Sequence, residues 1–184
     1  QLDWVGTSMG GIIGMLLAAH HGNPIGRLVI NDVGPFIPKA ALERIKHYVG
    51  KDPMFESLDE AETYVRLVSE PFGPLSDEQW RHLTVTTVKP RDNGKYGLVY
   101  DPSLAHAFAG TISDVELWHF WDQIRCPTLV IRGKTSDLLL EHTAEEMTRR
   151  GPRARLVEFE GIGHAPMLMD KDQIAVVKEF LSAA

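Results

Sequence analysis

The spacing of apolar residues changes twice along this chain. Leu2-Asp3-Trp4-Val5 reads as the end of a strand, and Gly11 to His20 follows as an apolar run of helical length. That helix, placed over 9–21, stops at Gly22-Asn23-Pro24, a helix breaker. Arg27-Leu28-Val29-Ile30-Asn31 is short, apolar and β-branched, the pattern of a strand covered on both faces, and it ends at Asp32-Val33-Gly34-Pro35. Between 36 and 110 the pattern becomes that of amphipathic helices, without a convincing parallel strand. One helix is expected over 38–49; two more start at Ser57 and Ser76, with Glu60 and Gln79 at capping-box spacing. Pro71, Pro74, Pro90 and Pro102 separate these pieces. Beyond 110 alternation returns. A short helix over 115–123 precedes a strand at Thr128-Leu129-Val130-Ile131-Arg132, and a helix over 141–150 ends at Gly151-Pro152. Arg155-Leu156-Val157-Glu158-Phe159 is a further strand, and the last helix, Asp170 to Leu181, carries Ile174, Val177 and Leu181 on one stripe.

Strands alternating with helices predict an α/β fold with a parallel sheet and right-handed crossovers. Residues 1–35 and 111–184 are expected to form its core. Residues 36–110 are then a helical cap inserted over the C-terminal strand ends, where ligands bind in such folds.

A chain of 184 residues can bury one sizeable core. The net charge of −6, without a dense Lys/Arg run, argues against a nucleic-acid surface. With Cys126 as the one cysteine no internal disulfide forms, and no basic leader with an apolar stretch begins the sequence; a cytoplasmic protein is expected. The longest apolar run, Gly10 to Ala19, is far short of the ~20 residues that span a bilayer, so no membrane partner is expected. There is no H-E-x-x-H, no C-x-x-C and no P-loop, and Gly161-Ile162-Gly163 is too short for a dinucleotide fingerprint. The expected partner is therefore a small-molecule substrate, with neither metal nor cofactor.

The chemistry concentrates in three segments. Gly6-Thr7-Ser8-Met9-Gly10 fits G-x-S-x-G, in which a serine sits on a strained strand-to-helix turn with its hydroxyl held toward substrate. Gly6 and Gly10 are expected where a β-carbon would crowd that crossing. Asp137 lies in Gly133-Lys134-Thr135-Ser136-Asp137 and His164 in Gly161-Ile162-Gly163-His164-Ala165-Pro166, each after a strand. Parallel strands end on one edge of a sheet, so Ser8, Asp137 and His164 can converge. A serine needs a histidine to take its proton, and a carboxylate orients that histidine. Asp32 also follows a strand and rivals Asp137 as the acid; Asp137 is preferred. The other seven histidines fall in helical segments or in the 36–110 stretch, and Cys126 reads as a packed thiol.

The three segments together resemble the α/β-hydrolase superfamily, in the serine, acid, histidine order of that family. Asn31-Asp32-Val33-Gly34-Pro35 is also similar to the exit of the sixth strand in many small cofactor-free members. The resemblance spans essentially the whole chain and implies Ser8 as nucleophile, Asp137 as acid, His164 as base and the Met9 N–H as one oxyanion donor. It implies hydrolysis of a small ester, a lactone or an activated carbon–carbon bond; an acyltransferase or a ligand receptor of the same fold is the alternative. The family's sheet has eight strands with the elbow after the fifth. The strands here correspond to the fifth through the eighth, so the chain is expected to be the C-terminal portion, without the loop that gives the second oxyanion N–H. Activity of the chain alone would then be impaired. The open edge of the elbow strand would also invite pairing with another copy.

Overall fold

The first strand passes into the first helix through a single residue, Ser8. The computed structural model describes residues 1–183. In chain order they form β1 (Leu2–Thr7), α1 (Met9–Ala19), β2 (Ile25–Asn31), β3 (Phe36–Ile37), α2 (Lys39–Lys46), β4 (Met54–Phe55), α3 (Leu58–Val68), α4 (Asp77–Thr87), β5 (Val88–Pro90) and β6 (Tyr96–Leu98). The order continues with β7 (Val115–Glu116), α5 (Trp118–Trp121), β8 (Thr128–Gly133), α6 (Glu141–Met147), β9 (Arg155–Phe159) and α7 (Lys171–Ser182). The chain divides into two compact units, one of residues 1–41, 71–73 and 114 onward, the other of 42–70 and 74–113.

In the first unit β1, β2, β8 and β9 make one sheet in that order, parallel throughout. All six residues of β8 are buried. Val29, Leu129 and Ile131 meet Val176, Val177, Phe180 and Leu181 of α7, and each of the three strand side chains, fully buried, stabilises the fold by about 1.5–3 kcal/mol. The α7 stripe differs from the expected one: Ile174 is exposed and Gln173 is buried. Gln173 is kept inside by a polar task, since its Oε1 accepts the Leu168 N–H at 2.7 Å. At the margin of the sheet, Leu2 and Val5 of β1 are exposed, as are Met9, Ile13 and Leu17 along one face of α1. No helix among the described residues is long and apolar enough to cross a membrane.

The second unit holds α3, α4 and a small antiparallel sheet in the order β4-β6-β5. Sequence periodicity missed this sheet because its strands are two or three residues long, too short for an alternation to register. Phe55, Ala61, Val88 and Leu98 form its core, with Tyr64 tilted against Phe55. Ser76 makes the full expected capping box with Gln79. At Ser57 only half of the box forms. Ser57 Oγ accepts the Glu60 N–H, but Glu60 Oε2 accepts the Glu56 N–H at 2.7 Å, one residue before the cap.

Candidate active site

Ser8 holds φ 52° and ψ −119°, a conformation that L-residues seldom adopt. Three backbone hydrogen bonds impose it. Ser8 N–H donates to Asn31 O at 2.9 Å, and Ser8 O accepts from Gly11 N–H at 2.8 Å and from Ile12 N–H at 3.1 Å. The residue is thus stitched to β2 on one side and to the first turn of α1 on the other. At Gly6 a β-carbon would lie 2.2 Å from Gly10 O, so the crossing does demand glycine there. At Gly10 it does not: a β-carbon would meet nothing within 4 Å among the described residues. The crowded positions of the helix are instead Gly11, against Val33, and Gly14, against the Trp4 ring.

His164 comes from the loop after β9 and stands beside the serine, Nε2 to Ser8 Oγ at 3.0 Å. Its Nδ1 lies 2.8 Å from Asp32 Oδ2. A carboxylate there accepts, so Nδ1 carries the proton and Nε2 is left to accept from the serine hydroxyl. The loop that carries the imidazole is pinned within its own unit: Gly163 N–H donates to Pro71 O at 2.7 Å and Thr135 N–H to Ile162 O at 2.9 Å. Gly133 must lack a side chain for this, because a β-carbon would sit 2.2 Å from Gly163 O.

Of the two candidate carboxylates, the structure places Asp32 at His164 Nδ1, where Asp137 was preferred. The cause lies in the loop after β8. Its residues alternate, Ser136 turned inward and buried, Asp137 exposed. Ser136 takes the inward position and donates to Asp32 Oδ2 at 2.6 Å, while its Oγ accepts Leu138 and Leu139 N–H at 3.2 Å each. Asp32 turns at φ 56°, which aspartate tolerates better than most residues, and its Oδ1 accepts Gly133 N–H at 2.8 Å. A fully buried carboxylate is costly unless its lone pairs are used; here three donors use them. Ser136 and Asn31 are the members of this cluster that spacing did not disclose. Asn31 carried one hint, an amide ending an apolar strand.

Met9 is the first residue of α1, so its N–H has no acceptor within the helix. Among the described residues no three His, Cys, Asp or Glu side chains gather as a metal site.

A parallel sheet that aligns a strained serine, a histidine and a buried aspartate at its strand ends defines a class of hydrolase cores. Comparison with known proteins gives the family. The model of the alpha/beta hydrolase family matches residues 1–177, and the chain belongs to that family. It is similar to a 3-hydroxybutyrate-oligomer hydrolase of Cupriavidus necator, 41% identical over an alignment of 193 positions that covers 100% of this chain and 66% of the relative. A solved protein of Rickettsia typhi superposes with a TM-score of 0.89 at 36% identity, over 97% of this chain and 61% of that one. An alpha/beta hydrolase of Novosphingobium aromaticivorans does so with a TM-score of 0.85, also at 36% identity, over 96% and 64%. The chain therefore spans just under two thirds of the length of these relatives.

Proposed function

We propose that this chain carries the reacting side chains of a serine esterase, with Ser8 as nucleophile, His164 as base and Asp32 as acid. The observation that supports this reading is the unbroken line from Ser8 Oγ to His164 Nε2 and from His164 Nδ1 to Asp32 Oδ2, at 3.0 and 2.8 Å. Ser8 Oγ attacks the ester carbonyl as its proton passes to Nε2. The imidazolium that forms is stabilised by Asp32, and the tetrahedral oxyanion receives the Met9 N–H. His164 then returns the proton to the leaving alcohol, an acyl group remains on Ser8, and water repeats the sequence to release the acid.

The 41% identity with a 3-hydroxybutyrate-oligomer hydrolase, sustained over the whole chain, supports short oligoesters of 3-hydroxy acids as the substrate class. The test uses the protein expressed from its whole coding sequence. A fluorophosphonate probe is expected to label Ser8, and 3-hydroxybutyrate trimer to be cleaved to monomer, both lost in Ser8→Ala. Labelling that survives Ser8→Ala would refute the nucleophile. A serine that labels while the trimer stays intact would refute the substrate class alone.

A further inference from the structure

We infer that Asn31 is a positioning residue, and that its amide locks the serine turn to the histidine loop. The inference rests on the reading of Ser8 and His164 as nucleophile and base. Asn31 is fully buried at the last position of β2, paired in register with Thr7. Its Nδ2 donates to Thr7 Oγ1 at 3.0 Å and to Pro166 O at 2.7 Å. Thr7 immediately precedes Ser8, and Pro166 lies two residues beyond His164. The backbone of Asn31 adds two more links. Its carbonyl accepts the Ser8 N–H, and its chain continues directly into Asp32. One residue thus touches all three arms of the line.

The orientation of the amide follows from its partners. Pro166 O can only accept, so the atom facing it is the amide nitrogen. That orientation leaves Asn31 Oδ1 buried without a donor among the described residues. A buried acceptor with no partner opposes folding. The orphan Oδ1 is a cost of asparagine here, set against the two bonds that its N–H groups make. The Pro166 bond is the one that matters for geometry. Thr7 and Ser8 are already held to β2 by the sheet, whereas the side-chain bond to Pro166 draws the loop after His164 against the end of β2. Loosening it lets Nε2 drift from Ser8 Oγ, and a misplacement of about 1 Å costs on the order of 10²-fold in rate.

The experiment compares Asn31→Leu and Asn31→Ala with the parent, all expressed from the whole coding sequence. Active sites are titrated with the fluorophosphonate, and kcat and KM are measured on p-nitrophenyl butyrate. Asn31→Leu preserves volume and removes the orphan acceptor, but it leaves Pro166 O buried without its donor, so its Tm is expected to lie somewhat below that of the parent with folding retained. Its kcat per titrated site is expected to fall about 10- to 100-fold with KM within about twofold, as is that of Asn31→Ala. A per-site kcat within about threefold of the parent in both variants overturns the inference. So does a loss of folding in both, which would make the amide a structural requirement. If one variant alone folds, its per-site kcat decides. Ser8→Ala is measured alongside: should it retain turnover, the nucleophile assignment falls; should it abolish turnover while the Asn31 variants remain fast, only the role of Asn31 falls.

Discussion

Exchanging Asp32 for asparagine keeps the number of heavy atoms, yet it reverses the hydrogen bonding of the line. Asp32 accepts three times: from Gly133 N–H at Oδ1, and from Ser136 Oγ and His164 Nδ1 at Oδ2. In Asp32→Asn the amide oxygen can stay on Gly133, which places the NH₂ group against Ser136 and His164. Ser136 Oγ already accepts two N–H groups and has little capacity for a third. His164 must then present an unprotonated Nδ1, so its proton moves to Nε2 and points at Ser8 Oγ. An imidazole in that tautomer cannot take the serine proton. The expected loss in kcat is about 10⁴-fold, or about 5 kcal/mol of transition-state stabilisation, as for other triads in which the acid becomes an amide. Asp137→Asn, at an exposed position, is expected to change kcat by roughly twofold at most, or about 0.5 kcal/mol. Both variants are to be assayed on p-nitrophenyl butyrate with active sites titrated, so that misfolded protein is not counted as slow enzyme. A large loss in Asp137→Asn together with a fast Asp32→Asn would refute the assignment of the acid.

Three further outcomes follow from the packing. In Gly6→Ala the new methyl lies 2.2 Å from Gly10 O, a backbone atom that cannot swing away; a destabilisation at or above the upper end of the ~1–3 kcal/mol typical of overpacking is expected, read as a fall in Tm. Ser76→Ala removes the capping box of α4 and is expected to cost about 1 kcal/mol in urea denaturation, with an unchanged m-value. Arg150 donates to Asp122 and holds its carboxyl below the usual carboxylate value of 3.8, and its guanidinium stacks over Trp118 at 4.5 Å. A depressed carboxylate contributes stability above its unfolded pKa and loses it as pH falls through the folded one. Arg150→Met, which keeps the stem, is therefore expected to lower Tm at neutral pH, with the gap to the parent closing below about pH 3.8; a gap that persists unchanged in acid would assign the effect to stacking on Trp118.

The sheet and the serine were legible because each leaves a local signature: continuous apolar β-branched runs for β2 and β8, and glycine-flanked turns for Ser8 and His164. The short hairpins of the second unit left none. Gly10 shows the limit of reading a motif as a set of steric demands. Both glycines of G-x-S-x-G fit the pattern, but only Gly6 faces backbone closely enough to require it.

The acid was ambiguous for a deeper reason. In a parallel sheet every strand ends at the same edge, so an aspartate after β2 and one after β8 are equivalent as far as sequence spacing can tell. What separates them is a one-residue phase in the loop after β8. Ser136 takes the inward position that Asp137 would need, and its hydroxyl completes the shell of Asp32 instead of competing with it. That phase is fixed by the two N–H groups of Leu138 and Leu139 closing on Ser136 Oγ, and by Leu138 and Leu139 entering the core. Which aspartate meets His164 thus depends on how two leucines pack, three-dimensional information that neither strand exit carries by itself. Asn31 is of the same kind. Its amide is conspicuous in an apolar strand, but its reach to Pro166 exists only once β1, β2 and the loop after β9 have come together.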